Sequence, residues 1–218
     1  MIVLGLVGTP AGGKSTVAQM LQEQGASWIN ADLIARSVLE QPQIQADLTE
    51  HYGSEITNKQ GLIDRTKLAS LVFGDDDQSR SRLEYLESRI HPATRNLITE
   101  QLVSSDRLGK QVAVLDVPLL FESSWDGTCD EIWCVDADRK IRLERAAERG
   151  WGVDQLEARE RNQLGIDEKK RRSTCVILNN GSLDELNETI KSMWRSLVKR
   201  HATSAVQKHC RPVPDPPN

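Results

Sequence analysis

Short runs of apolar, largely β-branched residues alternate along the chain with longer stretches in which apolar positions recur every three or four residues. The first kind of run reads as strands and the second as amphipathic helices, and their alternation predicts an α/β fold with a parallel sheet and crossover helices. Strands are expected over Ile2–Val7, Ser27–Asn30, Gln111–Asp116, Glu131–Val135 and Cys175–Leu178. Helices are expected at about Lys14–Glu23, Leu33–Leu39, Gln43–His51, Arg65–Phe73, Arg80–Leu108, Arg139–Arg149 and Leu183–Lys199. Because Ile2–Val7 is apolar at nearly every position, it should be buried on both faces at the centre of the sheet. No apolar run approaches the ~20 residues of a membrane span. The opening residues also lack a basic leader with a cleavage site. Together these features predict a soluble, cytoplasmic protein with no membrane partner.

Charge changes this picture in one place. The 218 residues carry 28 Lys/Arg against 32 Asp/Glu, a net charge of −4 that offers no general attraction to nucleic acid. From Arg139 to Arg172, however, 11 Lys/Arg face 7 Asp/Glu, a net of +4, which leaves 17 against 25, a net of −8, elsewhere. The second half of this basic stretch, 150–172, is polar and flanked by helical signals. Composition alone favours an ordinary solvated helix pair over the other reading, a mobile flap over an anionic ligand. Thr203–Asn218 holds four of the eight prolines and little that can be buried, so a disordered tail is expected there. Cys129, Cys134, Cys175 and Cys210 form no C-x-x-C pair and suggest neither a zinc cluster nor a disulfide framework.

The chemistry begins at Gly8-Thr9-Pro10-Ala11-Gly12-Gly13-Lys14-Ser15, which satisfies G-x-x-x-x-G-K-[ST] directly after an apolar strand and before a helix. Glycines let successive backbone N–H groups converge on phosphate oxygens, and the following helix adds its positive end. Gly8, Ala11, Gly12, Gly13, Lys14, Ser15 and Thr16 are therefore the candidate ATP-binding residues. Lys14 would reach the β- and γ-phosphates, and the Ser15 hydroxyl would meet Mg²⁺. A GTPase switch is disfavoured, since the nearest guanine-reading match, Asn58-Lys59-Gln60-Gly61, has Gly in place of the required Asp. A small kinase needs only such a loop, an acid that positions metal, a group that holds the acceptor hydroxyl and a cationic flap.

Asp32 follows the second strand, at the carboxyl end where an open parallel sheet forms its ligand crevice. It can act as the base toward an acceptor hydroxyl, or it can cap the helix that follows. Asp116, ending an apolar run, can position a metal or simply close a strand.

The phosphate loop is followed by Asn30-Ala31-Asp32-Leu33-Ile34-Ala35-Arg36, then His91-Pro92, then Val114-Leu115-Asp116-Val117-Pro118-Leu119-Leu120-Phe121-Glu122, and last Val176-Ile177-Leu178-Asn179-Asn180-Gly181-Ser182. In this order, over residues 2 to about 200, the motifs closely resemble the dephospho-CoA kinase family. The resemblance implies a three-layer phosphate-loop kinase: a core of about 1–30, 108–140 and 173–200, a helical acceptor-binding domain of about 32–107 and a lid of about 145–172. It implies transfer of the ATP γ-phosphate to the ribose 3′-hydroxyl of dephospho-CoA by a monomer or weak homo-oligomer. The alternative is a phosphate-loop kinase for another nucleoside, nucleotide or sugar alcohol.

By the same resemblance Asp32 faces the acceptor hydroxyl, and Arg36, His91, Pro118 and Leu119 belong to the acceptor side. Glu122 holds structure. His91-Pro92 falls inside a long helical pattern that Pro should break or kink. Arg145 and Arg149 match the arginines of the family's Q-x-x-R-x-x-x-R, with Arg145 the choice for the transferring phosphate. Asn180 is expected at the nucleotide. The sequence departs from the family's pattern at Thr9-Pro10-Ala11, which should stiffen the loop, at Arg142 in place of Gln, and at Leu178 in place of the Asp of V-I-D-N.

Overall fold

The computed structural model describes residues 1–74 and 76–209, with side chains to Ala202. Five strands, β1 (Ile2–Gly8), β2 (Ser27–Asn30), β3 (Val112–Asp116), β4 (Glu131–Asp136) and β5 (Cys175–Leu178), form one sheet in the order β2-β3-β1-β4-β5. β1 pairs in parallel with β3 and β4, and β4 with β5, with Leu4 opposite Val114 and Glu131, and Val135 opposite Ile177. The all-apolar first strand is thus central, as its composition requires. Because the chain passes from β1 to the β2 edge and later crosses from β3 to β4, strand order reverses at β1, and a crevice opens beyond its carboxyl end.

Along β1 the period of two divides the core. Ile2, Leu4 and Leu6 face a layer made by α1 (Lys14–Glu23) and α9 (Leu183–His209), packing with Val17, Ala18, Leu21, Leu186, Ile190 and Leu197. Leu4 and Leu6 are fully buried, and either cut to Ala would cost about 2–5 kcal/mol. The opposite face is covered by the turn after β3, where Leu120, Phe121 and Trp125 are buried. There too lies α8 (Ile166–Arg172), packed against β1 and β4. This gives the expected three layers.

The chain divides into two compact units, Asn30–Ser104 and the remainder. The smaller one holds α2 (Ala31–Val38), α3 (Pro42–Tyr52), α4 (Arg65–Val72) and most of α5 (Asp77–Arg107). Asn30 caps α2 by accepting from Leu33 N at 3.0 Å, Pro42 opens α3, and Asp64 caps α4. Ile44, Leu48, Tyr52, Ile56, Leu68, Val72 and Ile98 are buried within it. His51 stacks on Tyr85 at 3.5 Å between ring centroids, while burial pushes the Tyr52 hydroxyl up to about 12.

Three sequence expectations need amendment. α5 is not broken at Pro92, which forfeits one backbone donor and keeps its ring on the exposed side while the flanking turns carry the helix through. The 150–172 segment, between the expected helices, itself holds two more, α7 (Val153–Arg161) and α8, after α6 (Arg139–Glu148). α9 continues to His209, so the first part of the expected tail is helical, and Cys210–Asn218 lies outside the described residues. Among the described residues no helix is long and apolar enough to cross a membrane.

Candidate active site

The loop from Gly8 to Gly13 is buried and tightly fitted, apart from partly exposed Pro10, and each glycine has a separate reason. A Cβ on Gly8 would fall 2.2 Å from Val135 O, and one on Gly13 would fall 2.1 Å from Asn179 Nδ2, at a φ of +99°. Ala11 takes a left-handed conformation as well, with φ 59°. The departure from glycine there therefore carries backbone strain of roughly 1–2 kcal/mol, while its methyl packs with Ala146 and Leu156 beneath α6 and α7. Gly13 is the N-cap of α1 and has no side chain to offer, so no cap claims the first-turn N–H groups. They are what a phosphate would meet.

Lys14 forms an ion pair with Asp116, whose side chain is only 4% exposed at the end of β3. The second oxygen, Asp116 Oδ2, accepts from Trp28 Nε1 at 3.2 Å. Ser15 is exposed beside Lys14. A serine hydroxyl and a carboxylate are hard oxygen donors of the kind Mg²⁺ accepts when phosphates and water complete its shell. Among the described residues no group of three or more His, Cys, Asp or Glu could hold a metal. The donors present fit an ion that arrives with a nucleotide.

The basic segment meets this loop at both ends. Lys169, 3% exposed, donates to Gly8 O at 3.0 Å and to Gln163 Oε1 at 2.7 Å. Burial holds its amine below the usual lysine range. Lys170 pairs with Asp136 at 2.6 Å, and Asp136 also accepts from Thr9 Oγ1 at 2.9 Å. Burial raises that carboxyl, but the hydrogen bonds from Lys170 and Thr9 outweigh it and hold the group below its ordinary 3.8. At the other end, Arg145 reaches Gly12 O at 3.5 Å and Asn179 O at 3.1 Å, and Asn179 Nδ2 donates to Gly12 O at 3.0 Å. A cavity of about 220 Å³ opens beside the loop between Thr9, Pro10, Arg142, Glu160 and Lys169.

The remaining candidates are placed differently. Asn180 Oδ1 accepts from Asp138 N at 2.8 Å at the start of α6, and its neighbour Asn179 is the residue that donates to the Gly12 carbonyl. Arg142, standing for the family's Gln, is buried. It donates to Ala137 O at 2.9 Å and pairs with Glu160, tying α6 to α7. Arg139 adds a bond to Glu157 at 2.6 Å. Arg149 is exposed near Trp151. Glu122 accepts from Leu164 N at 2.7 Å, a structural role. Pro118 is half-buried and Leu119 exposed in the turn after β3, and Leu178 is exposed at the β5 edge.

In the smaller unit, Asp32 and Arg36 are exposed one turn apart on α2, and His91 is exposed on α5. The cap that Asp32 could have supplied is supplied by Asn30. Asp32 stands in the first turn with no capping duty.

Sequence reasoning missed Lys169, Asp136, Asn179 and Trp28. Asp136 carried the one available signal, an Asp ending an apolar strand just as Asp116 does. The lysines were hidden in a run of four cations, where composition suggests a solvated face.

Comparison with known proteins sets this site in context. The family model for dephospho-CoA kinase (CoaE) matches residues 2–185. The dephospho-CoA kinase of Rhodopirellula baltica is 38% identical over 197 residues, covering 90% of this chain and 91% of its own. That of Deinococcus radiodurans is 37% identical over 195 residues, covering 89% and 91%. Among solved structures, TT1252 from Thermus thermophilus superposes with a TM-score of 0.75 at 34% identity, covering 90% of this chain and 97% of its own. The dephospho-CoA kinase from Campylobacter jejuni, at 24% identity, shares the fold with a TM-score of 0.69 over 91% and 98%.

Proposed function

The chain belongs to the dephospho-CoA kinase family, and we propose that it transfers the γ-phosphoryl group of ATP to the ribose 3′-hydroxyl of dephospho-CoA, giving coenzyme A and ADP, the last step of coenzyme A synthesis. The observation that carries the reading is the phosphate loop itself, with free helix-start N–H groups, Lys14 on Asp116, and Arg145 and Asn179 on the Gly12 carbonyl.

On this reading the loop N–H groups cradle the phosphates, and Lys14 leaves Asp116 for the β- and γ-oxygens. Ser15 and Asp116 would then hold Mg²⁺, which would offset the negative charge of the phosphates. Asp32 accepts a hydrogen bond from the 3′-hydroxyl and takes its proton as the new O–P bond forms and the γ-phosphorus parts from the bridging oxygen. Arg145, beside the Gly12 carbonyl, turns to the transferring group, where a planar guanidinium suits the phosphate oxygens. Arg36, His91, Pro118 and Leu119 contribute to the acceptor side. The helices of 150–172 close over the reactants and exclude water. On the same reading the enzyme works in the cytoplasm as a monomer or weak homo-oligomer, without nucleic acid or membrane.

The deciding experiment measures ADP release with dephospho-CoA, adenosine, AMP or no acceptor. The expected result is rapid release with dephospho-CoA alone. Equal release with adenosine or AMP would replace the acceptor, and release that ignores every acceptor would end the kinase reading.

A further inference from the structure

Two of the contacts that hold Asp116 differ in character. One oxygen pairs with the charged Lys14 Nζ, and the other accepts from the indole N–H of Trp28 at 3.2 Å. Trp28 belongs to β2, next to β3 in the sheet, and its half-buried ring packs against the main core, so its N–H has a fixed direction. A neutral donor stabilises the carboxylate without bringing a positive charge that would repel an approaching cation.

We propose that Trp28 is a positioning residue: it anchors Asp116 Oδ2 so that Asp116 Oδ1, once Lys14 has moved to the phosphates, is presented to the metal of a metal–nucleotide complex. The inference rests on the reading of Asp116 given above and extends it to a residue that touches neither nucleotide nor metal. Lys14 and the cation then exchange at one oxygen while the other never rotates, so the buried carboxylate keeps a partner throughout the cycle. Partners that orient metal ligands in this way typically matter by ~10- to 100-fold in metal affinity or activity.

The test compares ADP binding by calorimetry, with and without Mg²⁺, in the wild type and in Trp28→Phe, which keeps the aromatic ring and removes the N–H. The wild type should bind ADP more tightly with Mg²⁺. In Trp28→Phe that enhancement should shrink about 10-fold while Mg²⁺-free ADP affinity holds. The Mg²⁺ concentration for half-maximal turnover should rise in parallel, with much of kcat recovered at high Mg²⁺. A folded Trp28→Phe protein with an undiminished enhancement would overturn the positioning role and leave the kinase reading intact. A wild type with no Mg²⁺ enhancement would overturn the metal role of Asp116 and this inference with it. Should Trp28→Phe fail to fold, the ¹⁵N-indole spectrum of the wild type decides. The Trp28 N–H should be protected from solvent exchange both free and with Mg²⁺·ADP, and rapid exchange in the bound state would refute the anchor.

Discussion

The side-chain amide of Asn179 lies where a side chain on Gly13 would begin, with Nδ2 only 2.1 Å from an ideal Cβ. The end of β5 thereby closes against the last turn of the phosphate loop, and Gly13 is required twice, for its φ of +99° and for this approach. Gly25 offers a control, because its φ is +105° but nothing lies within 4 Å of its Cβ position. Gly25→Ala should cost only backbone strain of roughly 1–2 kcal/mol. Gly13→Ala should cost more and should also abolish measurable nucleotide binding. Thermal melts and ADP calorimetry on the two variants check this, and equal behaviour would show that the Asn179 contact is unimportant.

Lys14 is more than an exposed loop lysine. It pairs with an Asp116 side chain that is 4% exposed, so Lys14→Ala removes the charge that balances a buried carboxylate as well as a phosphate ligand. Lys14→Ala is expected to lose nearly all transfer and about 1–3 kcal/mol of stability. Adding Asp116→Asn should restore part of the stability and none of the activity. Denaturant titration of the single and double variants measures the coupling, and purely additive losses would mean that the ion pair contributes nothing to the fold.

Asn30, by capping α2, separates the two duties open to Asp32. Asp32→Asn should therefore leave stability nearly untouched. If Asp32 takes the hydroxyl proton, turnover should fall ~10²- to 10⁴-fold with ATP and dephospho-CoA still bound. Steady-state kinetics beside calorimetry of both substrates tests it. A kcat within a few-fold of wild type would leave the base unassigned.

Asp136 makes the loop's anchorage depend on pH. Its native carboxyl lies below the ordinary 3.8 because hydrogen bonds from Lys170 and Thr9 outweigh burial. With the native value the lower of the two, the unfolded chain takes up this proton first as pH falls. The stabilisation is complete above the unfolded value and is lost as pH drops through the native one. Asp136→Asn should lower Tm at pH 7, and the gap from wild type should narrow below about pH 4. Melts from pH 7 to pH 3 would show it, whereas a constant gap would mean that the ionised form is not what stabilises the loop.

The sequence stated the local structure well because local structure follows from local pattern. The apolar run before Gly8 marked β1 as central, and the glycine–lysine–serine spacing marked the loop and the start of α1. Motif order carried the family. That Asn179 donates to the Gly12 carbonyl while Asn180 turns to Asp138 was not legible, because adjacent residues at a strand end differ in direction and only the packed loop shows which one turns inward.

By itself, then, the sequence determined the alternation of strands and helices, the phosphate loop and the family, all of which depend on residue type and spacing along one chain. Tertiary structure alone decided that Lys169 is a buried anchor of that loop, that Lys170 pairs with Asp136 beside it, that Arg142 ties α6 to α7, and that Trp28 holds Asp116. Each of these pairs a side chain with a group far away in sequence. A buried lysine and a solvated one look the same in composition, and the difference is made by the carbonyl or carboxylate that the fold brings to meet it.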